Sequence, residues 1–386
     1  MIFPMNKICE HFLSCGGCSS QDIPYEEQLQ RKQKVIEELF APFKPLPIIP
    51  CEHHENYRNK MEFSFSQNKA GDCFLGLILK QSRGKVFNLY ECTIGPLECR
   101  DLLARVRLWW EKTQLSAFNF RSGLGALRTL TFRQSKKTGQ SLIMLTVSGD
   151  PHFALSQEQL NAFIDCINDP SISVFLQIHQ AIKGRPTQFF EMHLAGPSHI
   201  METLTVEGRE FTFKISPSSF FQPNTLQAEK LYQAALRLPS FDVDSCVYDL
   251  YCGTGTLGIV CAPRVKKVIG IELNPYAVFD GKLNAEHNGI LNIDFHQGDV
   301  ADILKSQETE KPDVVIVDPP RVGLNEAAIQ ELLLLNPSEI LYISCNPKTQ
   351  VKNIEALTGY TVKIIQPVDQ FPHTPHIENI CLLTRK

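Results

Sequence analysis

The second half of the chain alternates short apolar runs with helical stretches, and this pattern limits the fold more than any other feature. These segments follow Ser216-Pro217 in the order 247–251, 268–272, 275–288, 314–318, 326–335 and 340–345. Alternation of this kind is typical of a parallel sheet covered by helices. We therefore predict an α/β fold whose ligands bind where the carboxyl ends of the strands meet.

The first half has a different pattern. Residues 25–40 carry helix formers and predict one helix. Short β-like runs dominate after residue 57, and the turn-like residues 136–139 between two of them predict a hairpin. We expect two domains, residues 1–210 and 211–386, with helix 25–40 packing on the second.

Composition narrows the class of protein. With 386 residues, 43% hydrophobic and 21% charged, the chain is globular and long enough for two or three domains. Residues 1–7 lack the basic start of a signal peptide, and no apolar run reaches the ~18 residues that span a bilayer, so we expect a cytoplasmic protein. The 13 cysteines are then not expected to form a disulfide framework, and those that cluster are better explained as metal ligands or catalysts.

Positive charge is concentrated at the front of the chain. Residues 1–140 carry 20 Lys and Arg against 14 Asp and Glu, whereas residues 141–386 carry 18 against 28. This asymmetry favours contact between the front part and an anion such as nucleic acid. The candidate phosphate contacts are Arg121, Arg128, Arg133, Lys136 and Lys137, although a solvated hairpin face explains them equally well.

A glycine-rich segment follows the first apolar run. Residues 249–258, DLYCGTGTLG, contain the spacing G-x-G-x-x-G, which lets the backbone approach a ligand in both NAD and S-adenosylmethionine enzymes. Glu272 closes the next strand, where a carboxylate can accept protons from both ribose hydroxyls. Asp249 ahead of the glycines and Asp299 after the third strand favour the methyl donor over NAD.

Later strand ends carry residues suited to chemistry at a pyrimidine. The turn Asp318-Pro319-Pro320-Arg321 offers a carboxylate and carbonyl acceptors in a stiff geometry, because proline has a fixed φ and no amide donor. Cys345 follows the next strand, and a thiolate that adds to pyrimidine carbon 6 makes carbon 5 nucleophilic enough to accept a methyl group. A general base must then remove the carbon 5 proton, and the segment 371–378 supplies Glu378 together with two histidines. His373 and His376 lack the helical spacing of a zinc pair.

Three cysteines near the start enclose two glycines: Cys9, Cys15 and Cys18 around Gly16-Gly17. A four-coordinate zinc ion or a four-iron four-sulfur cluster would need a fourth ligand, for which Cys92 is the first candidate and Cys99 the second. The spacing is not the Cys-x3-Cys-x2-Cys typical of radical enzymes that cleave S-adenosylmethionine. A structural metal centre is therefore expected.

Together these segments resemble the RNA uracil-5 methyltransferases, and specifically the iron-sulfur branch that acts on 23S ribosomal RNA. The resemblance spans nearly the whole chain and is carried by residues 9–18, 57–60 (YRNK), 216–224 (SPSSFFQPN), 249–258, 318–321, 344–346 and 373–378. It implies a Rossmann-like class I methyltransferase domain preceded by an α+β iron-sulfur and RNA-binding domain. Many relatives begin with an additional small β-barrel, for which the eight residues ahead of Cys9 leave no room.

The resemblance also implies individual roles. Cys345 becomes the nucleophile and Glu378 the proton acceptor. Around S-adenosylmethionine and the base it places Gln222, Tyr251, Thr256, Glu272, Asp299 and Asp318. The metal centre becomes a four-iron four-sulfur cluster whose ligands are Cys9, Cys15, Cys18 and Cys92.

We therefore expect a cytoplasmic, monomeric enzyme, without membrane contact, that forms 5-methyluridine in 23S ribosomal RNA. Residues 211–386 would perform the chemistry, and the front part would bind RNA. Three alternatives stay open: the same chemistry on transfer RNA, a cluster-containing NAD-dependent redox protein, and a non-catalytic RNA-binding factor.

Overall fold

The computed structural model describes residues 8–182, 184–306 and 311–386. Two compact units divide the chain: unit 1 comprises the residues up to Asp22 together with His53–Glu202, and unit 2 comprises Ile23–Glu52 and Thr203–Lys386. Residues 1–7, expected to lack a signal peptide, lie outside the described part. The predicted domain boundary between residues 210 and 211 stays a prediction.

The helices and strands are numbered in chain order. The helices are α1 Tyr25–Leu39, α2 Cys99–Thr113, α3 Gln157–Ile167, α4 Thr225–Leu236, α5 Thr256–Cys261, α6 Pro275–His287, α7 Val300–Ser306, α8 Glu326–Leu335 and α9 Pro347–Ala356. The strands are β1 Lys60–Gln67, β2 Cys73–Gly76, β3 Leu127–Gln134, β4 Ser141–Ser148, β5 Ser173–Gln180, β6 Gln188–Ala195, β7 Ile200–Val206, β8 Arg209–Ile215, β9 Cys246–Leu250, β10 Lys267–Glu272, β11 Ile293–Gln297, β12 Val314–Val317, β13 Glu339–Ser344, β14 Tyr360–Val368 and β15 Glu378–Arg385.

Unit 1 is an α+β unit built on a six-stranded sheet. Its strand order is β2-β1-β3-β4-β5-β6, and all neighbours are antiparallel except β4 and β5. The predicted hairpin is confirmed as β3 and β4. Helices α2 and α3 cover one face of the sheet, where the rings of Trp109 and Phe163 pack edge to face with centroids 5.0 Å apart.

Unit 2 is built on a seven-stranded sheet with the order β11-β10-β9-β12-β13-β15-β14. The first five strands in that order are parallel, while β15 runs antiparallel to both of its neighbours. Strand order reverses at β9, since β10 lies on one side of it and β12 on the other. In open α/β sheets such a reversal leaves a crevice at the carboxyl ends of the strands, where ligands bind.

Burial explains why the strands of unit 2 read as continuous apolar runs. Every residue of β9, β12 and β13 is buried, as expected for parallel strands covered on both faces. Helix α1 belongs to this unit, and its Ile36, with Phe40 just beyond its end, lies in the same core as the sheet. Among the described residues, no helix has the length and apolar character needed to cross a membrane.

Candidate active site

Four predicted site residues lie at the carboxyl edge of the sheet in unit 2. Tyr251 follows β9, Glu272 ends β10, Asp318 follows β12 and Cys345 follows β13. Because parallel strands end at one edge, these residues lie along the same edge, on both sides of the reversal in strand order. The edge therefore combines two carboxyl groups, a phenol and a thiol.

The glycine loop after β9 requires its glycines. Gly255 has φ of 77°, and a Cβ there would lie 2.5 Å from the Phe295 ring. A Cβ on Gly258 would lie 2.9 Å from Oδ2 of Asp249, which accepts a 2.8 Å hydrogen bond from the Gly258 N–H. Burial raises the pKa of Asp249 to about 7. Asp249, predicted to favour the methyl donor, thus supports the loop from inside the protein.

The acidic residue at the end of β10 is oriented by backbone groups. Oε2 of Glu272 accepts from the Gly253 N–H at 3.1 Å, and Oε1 accepts from the Asn274 N–H at 2.7 Å. Each carboxylate oxygen has two lone pairs, so both can accept a further hydrogen bond. This geometry suits the predicted contact with a ribose.

Asp299, Tyr251 and Thr256 are also predicted to lie around S-adenosylmethionine, and they follow the strands on either side of β10, the strand that ends at Glu272. Asp299 accepts a 2.9 Å hydrogen bond from the Ala301 N–H at the start of α7. Burial and the nearby Asp299 charge raise the pKa of Tyr251 to about 12, so the phenol and the carboxylate share one region. Thr256 begins α5, with its hydroxyl 3.5 Å from that of Thr254.

Strand register brings Cys345 and Glu378 together. Strands β13 and β15 pair antiparallel, and the last paired residues are Ser344 and Asn379. Cys345 is the next residue after Ser344 and Glu378 is the residue before Asn379, so this pairing brings the two close to each other at the end of the sheet. Burial, then the charges of Glu378 and Asp318, raise the pKa of Cys345 to about 11, while Arg321 lowers it.

The carboxyl groups beside the thiol are themselves buried. Burial raises the pKa of Asp318 to about 7. Burial and the Asp318 charge raise the pKa of Glu378 well above its ordinary value, and Arg321 opposes the shift. A carboxyl group with a raised pKa is a stronger base once ionised, which suits a proton acceptor.

Sequence reasoning missed Tyr232, a buried phenol on α4. Its pKa is raised by burial and then by Asp318, Glu378 and Asp249, and its hydroxyl hydrogen-bonds Gln222. Gln222, which is predicted to lie around S-adenosylmethionine and the base, is thus hydrogen-bonded to a phenol that is close to the carboxyl groups of the edge. No local signal marks Tyr232, because an apolar helix face carries tyrosine for packing as readily as for function.

The two histidines before Glu378 have different partners. His373 is buried, and its Nδ1 lies 3.2 Å from Nε2 of Gln28 on α1. His376 is half-buried, and its Nδ1 lies 3.3 Å from the guanidinium of Arg321. Each ring is therefore bonded to a different part of unit 2.

The predicted cluster ligands converge in unit 1. Cys9, Cys15, Cys18 and Cys92 all line one cavity of about 280 Å³. Burial, and then the neighbouring Cys92, Cys15 and Cys9, raise the pKa of Cys18 to about 12. Four thiolates this close repel one another, so a positively charged centre between them would relieve the repulsion.

Hydrogen bonds to sulfur also fit a cluster. The Gly17 N–H donates to Sγ of Cys15 at 3.3 Å, and the Gln21 amide donates to Sγ of Cys18 at 3.3 Å. Within the described ranges, no three His, Cys, Asp or Glu side chains are arranged to hold a single metal ion. A four-iron cluster is larger than one ion and holds its ligands further apart. Cys99 lies in the apolar core and does not line this cavity, which leaves Cys92 as the candidate fourth ligand.

The structure corrects one of the predicted phosphate contacts. Arg133 is 3% exposed, and burial lowers its pKa to about 10, so it cannot reach a phosphate at the surface. Nζ of Lys136 donates to the Asn56 carbonyl at 2.6 Å. Arg121 and Lys137 are exposed, and Arg128 stacks on an aromatic ring.

Comparison with known proteins gives consistent results. A family model described as tRNA (Uracil-5-)-methyltransferase matches residues 191–386. An uncharacterized RNA methyltransferase of Protochlamydia amoebophila is 48% identical over 403 residues, which cover 98% of this chain and 91% of that protein. A second, from Chlamydia trachomatis serovar D, is 38% identical over 388 residues and covers 98% of both chains.

A solved structure extends the similarity to the fold. The crystal structure of Pyrococcus abyssi tRNA (uracil-54, C5)-methyltransferase in complex with S-adenosyl-L-homocysteine matches with a TM-score of 0.77 and 25% identity. The match covers 96% of this chain and 86% of that chain. It confirms the predicted Rossmann-like methyltransferase fold.

Proposed function

The chain belongs to the tRNA (uracil-5-)-methyltransferase family, and from this premise we propose that it forms 5-methyluridine in 23S ribosomal RNA. The family makes the protein an RNA uracil-5 methyltransferase that uses S-adenosylmethionine. The proposal goes beyond family membership in three respects: the choice of 23S RNA, the roles of individual residues and the metal centre. A cytoplasmic enzyme would meet this RNA during ribosome assembly.

Cys345 and Glu378 carry the proposed reaction. The Cys345 thiolate adds to uracil carbon 6, and the ring electrons make carbon 5 the nucleophile. S-adenosylmethionine would supply the methyl group to carbon 5, with its S–CH3 bond broken and S-adenosylhomocysteine as the leaving group. Glu378 then takes the carbon 5 proton, the C–H electrons form the C5–C6 double bond, and the C6–S bond breaks to release the thiolate. The observation that supports this proposal is the pairing of Ser344 with Asn379, next to Cys345 and Glu378, together with the effect of the Glu378 charge on the pKa of Cys345.

A trapping experiment tests these roles. RNA containing 5-fluorouridine has no proton at carbon 5, so the adduct cannot be resolved. We expect the wild-type protein to form a denaturation-resistant complex with it in the presence of S-adenosylmethionine, and Cys345→Ala to form none. Cys166→Ala, a change of a cysteine in unit 1, serves as the matched control. Trapping that survives in Cys345→Ala would refute the assignment.

The remaining residues of this edge are assigned to contacts with S-adenosylmethionine and with the uracil base. We assign the contact with the ribose of S-adenosylmethionine to Glu272, and the contacts with its adenine to Asp299 and Tyr251. Gln222 and Asp318 are assigned to the region nearer the uracil base. Thr256 lies at the end of the glycine-rich loop. Glu272→Gln keeps the side-chain length but replaces one acceptor oxygen with a donor. Calorimetric titration with S-adenosylhomocysteine should show weaker binding to this variant, and unchanged affinity would contradict the ribose assignment.

The cysteine cavity of unit 1 supports a four-iron four-sulfur cluster. The convergence of four thiols and the donors to two of their sulfurs fit such a group. Protein purified without oxygen should contain iron and sulfide in equal amounts and lose both in Cys18→Ser. Cys99→Ser should keep them, because Cys99 lies in the apolar core. A colourless protein that contains zinc would overturn the cluster.

Unit 1 also offers a surface for RNA. The Arg128 guanidinium lies 3.8 Å from the centroid of the Phe118 ring and 5.1 Å from that of Phe120, which is 83% exposed. Exposed aromatic rings beside cations stack on unpaired bases and attract phosphates. Phe120→Ala and Arg121→Ala should weaken RNA binding, the second more at low salt.

Transfer RNA is the second candidate substrate. It is favoured by the Pyrococcus abyssi neighbour, which acts on uracil 54 of tRNA, whereas the cysteine cavity favours the 23S branch. Mapping of 5-methyluridine in both RNAs, in cells with and without this gene, separates the two. Loss of the modification from 23S RNA alone supports the proposal, and loss from tRNA alone replaces it.

A further inference from the structure

The connection between β14 and β15 is a buried loop that ends at Glu378. It covers residues 369–377, and most of these are buried, although they belong to no strand or helix. Buried backbone outside regular structure needs hydrogen-bond partners from elsewhere in the protein. Strand pairing sets Val368, just before the loop, opposite Glu378, just after it. The loop therefore leads directly into Glu378.

Helix α1 supplies many of those partners. Nζ of Lys32 donates to Oδ1 of Asp369 at 2.6 Å and to the Phe371 carbonyl at 3.0 Å. The Tyr25 hydroxyl donates to Oδ2 of Asp369 at 2.8 Å. A helix far from the loop in sequence thus holds the first and third residues of the loop.

Gln28 of α1 holds the bend of the loop. Its Oε1 accepts from the His373 N–H at 3.0 Å, and its Nε2 lies 3.2 Å from Nδ1 of His373 while donating to the Ile23 carbonyl at 2.8 Å. These bonds assign the ring proton of His373 to Nε2. His373 has φ of 65°, a left-handed conformation that costs a residue other than glycine about 1–3 kcal/mol. The paired bonds from Gln28 offset that cost.

We propose that Gln28 is a positioning residue that keeps Glu378 at the reacting carbon by holding His373 in its left-handed bend. The inference rests on the proposed role of Glu378. Without the two bonds the bend relaxes and Glu378, five residues later, moves. A misplacement of about 1 Å at a reacting group can lower a rate roughly 100-fold. Only the step that removes the carbon 5 proton should slow, since thiol addition and methyl transfer do not use Glu378.

Two substrates separate this role from a general structural one. With uridine RNA, Gln28→Met should turn over roughly 100-fold more slowly and accumulate a methylated covalent adduct that elimination no longer resolves. With 5-fluorouridine RNA, Gln28→Met should trap at the wild-type rate, because that substrate has no carbon 5 proton to remove. Gln30→Ala, an exposed change on the same helix, should match the wild type with both substrates.

The outcomes divide clearly. Equal losses with both substrates, or no loss with either, would overturn the positioning role. Gln28→Glu keeps the oxygen that accepts from the His373 N–H, so it should retain more turnover than Gln28→Met, and it provides a second test if the methionine variant does not fold. Wild-type protein that traps no 5-fluorouridine RNA would instead refute the proposed function itself.

Discussion

Replacing Lys32 with methionine should destabilise unit 2 by about 3–5 kcal/mol, which is the usual cost of leaving one partner of a buried ion pair without the other. The Lys32 side chain is 7% exposed and that of Asp369 is 0% exposed, so water cannot replace the lost ammonium group. Burial lowers the pKa of Lys32 although Asp369 raises it, so desolvation outweighs pairing. The pair therefore adds little net stability, yet breaking it is costly.

That reasoning is tested by removing both partners. Lys32→Met combined with Asp369→Asn deletes both charges, so it should cost less than Lys32→Met alone. The free energy of unfolding of each variant is measured by urea unfolding followed by far-ultraviolet circular dichroism. Tryptophan fluorescence would report on unit 1 only, because both tryptophans lie in that unit. Lys34→Met is the surface control, since its pair with Glu38 is exposed and such pairs contribute about 0–1 kcal/mol. A loss of stability below about 1 kcal/mol in Lys32→Met would refute the argument. It would also be refuted if the double variant lost as much stability as Lys32→Met and Asp369→Asn lose separately, added together.

Three other perturbations have predicted outcomes. Iodoacetamide should alkylate Cys345 about tenfold faster for each pH unit between 7 and 10, because only the thiolate reacts and the pKa of the thiol is about 11. Arg321 lowers that pKa, so Arg321→Met should slow the reaction at each pH. Peptide mass spectrometry measures both rates. Gly258→Ala should cost about 1–3 kcal/mol in urea unfolding by crowding the Asp249 carboxyl, while Gly359→Ala, with no atom closer than 3.6 Å, should cost less. Burial raises the pKa of Asp249 from 3.8 to about 7, so wild-type stability should fall as pH rises between these values. Asp249→Asn lacks the ionisable group, so its stability relative to the wild type should increase from about pH 4 to about pH 7, and a constant difference over that range would contradict this.

The active-site edge could be predicted because its residues occur at strand ends. Apolar runs mark β12 and β13 in the sequence, so Asp318 and Cys345 could be assigned to one edge before any contact was known. Glu378 could be recognised from its place before an apolar strand. Its position close to Cys345 depends on β15 running antiparallel to β13, and sequence patterns do not reveal which strands become neighbours.

The supporting contacts were beyond sequence reasoning for a related reason. Gln28 and His373 are 345 residues apart, and a glutamine in a polar helix carries no sign that it will be buried. Arg133 shows the opposite error. Its place in a basic hairpin predicted exposure, but residues 130–133 of β3 are all buried, and because alternate residues face opposite sides of a sheet, both sides are covered there.

The raised pKa values at the edge bear on the order of the proposed steps. In the ligand-free protein the thiol of Cys345, with a pKa of about 11, is protonated at neutral pH, and the raised pKa of Glu378 favours its protonated form too. The sulfonium of S-adenosylmethionine is positive, so its arrival favours ionisation of both groups, and that help ends when the methyl group leaves. The carboxylate then regains its raised proton affinity when the carbon 5 proton has to be removed. The same burial that hinders the thiol thus strengthens the base, and Arg321, which opposes both shifts, limits the cost of combining the two in one site.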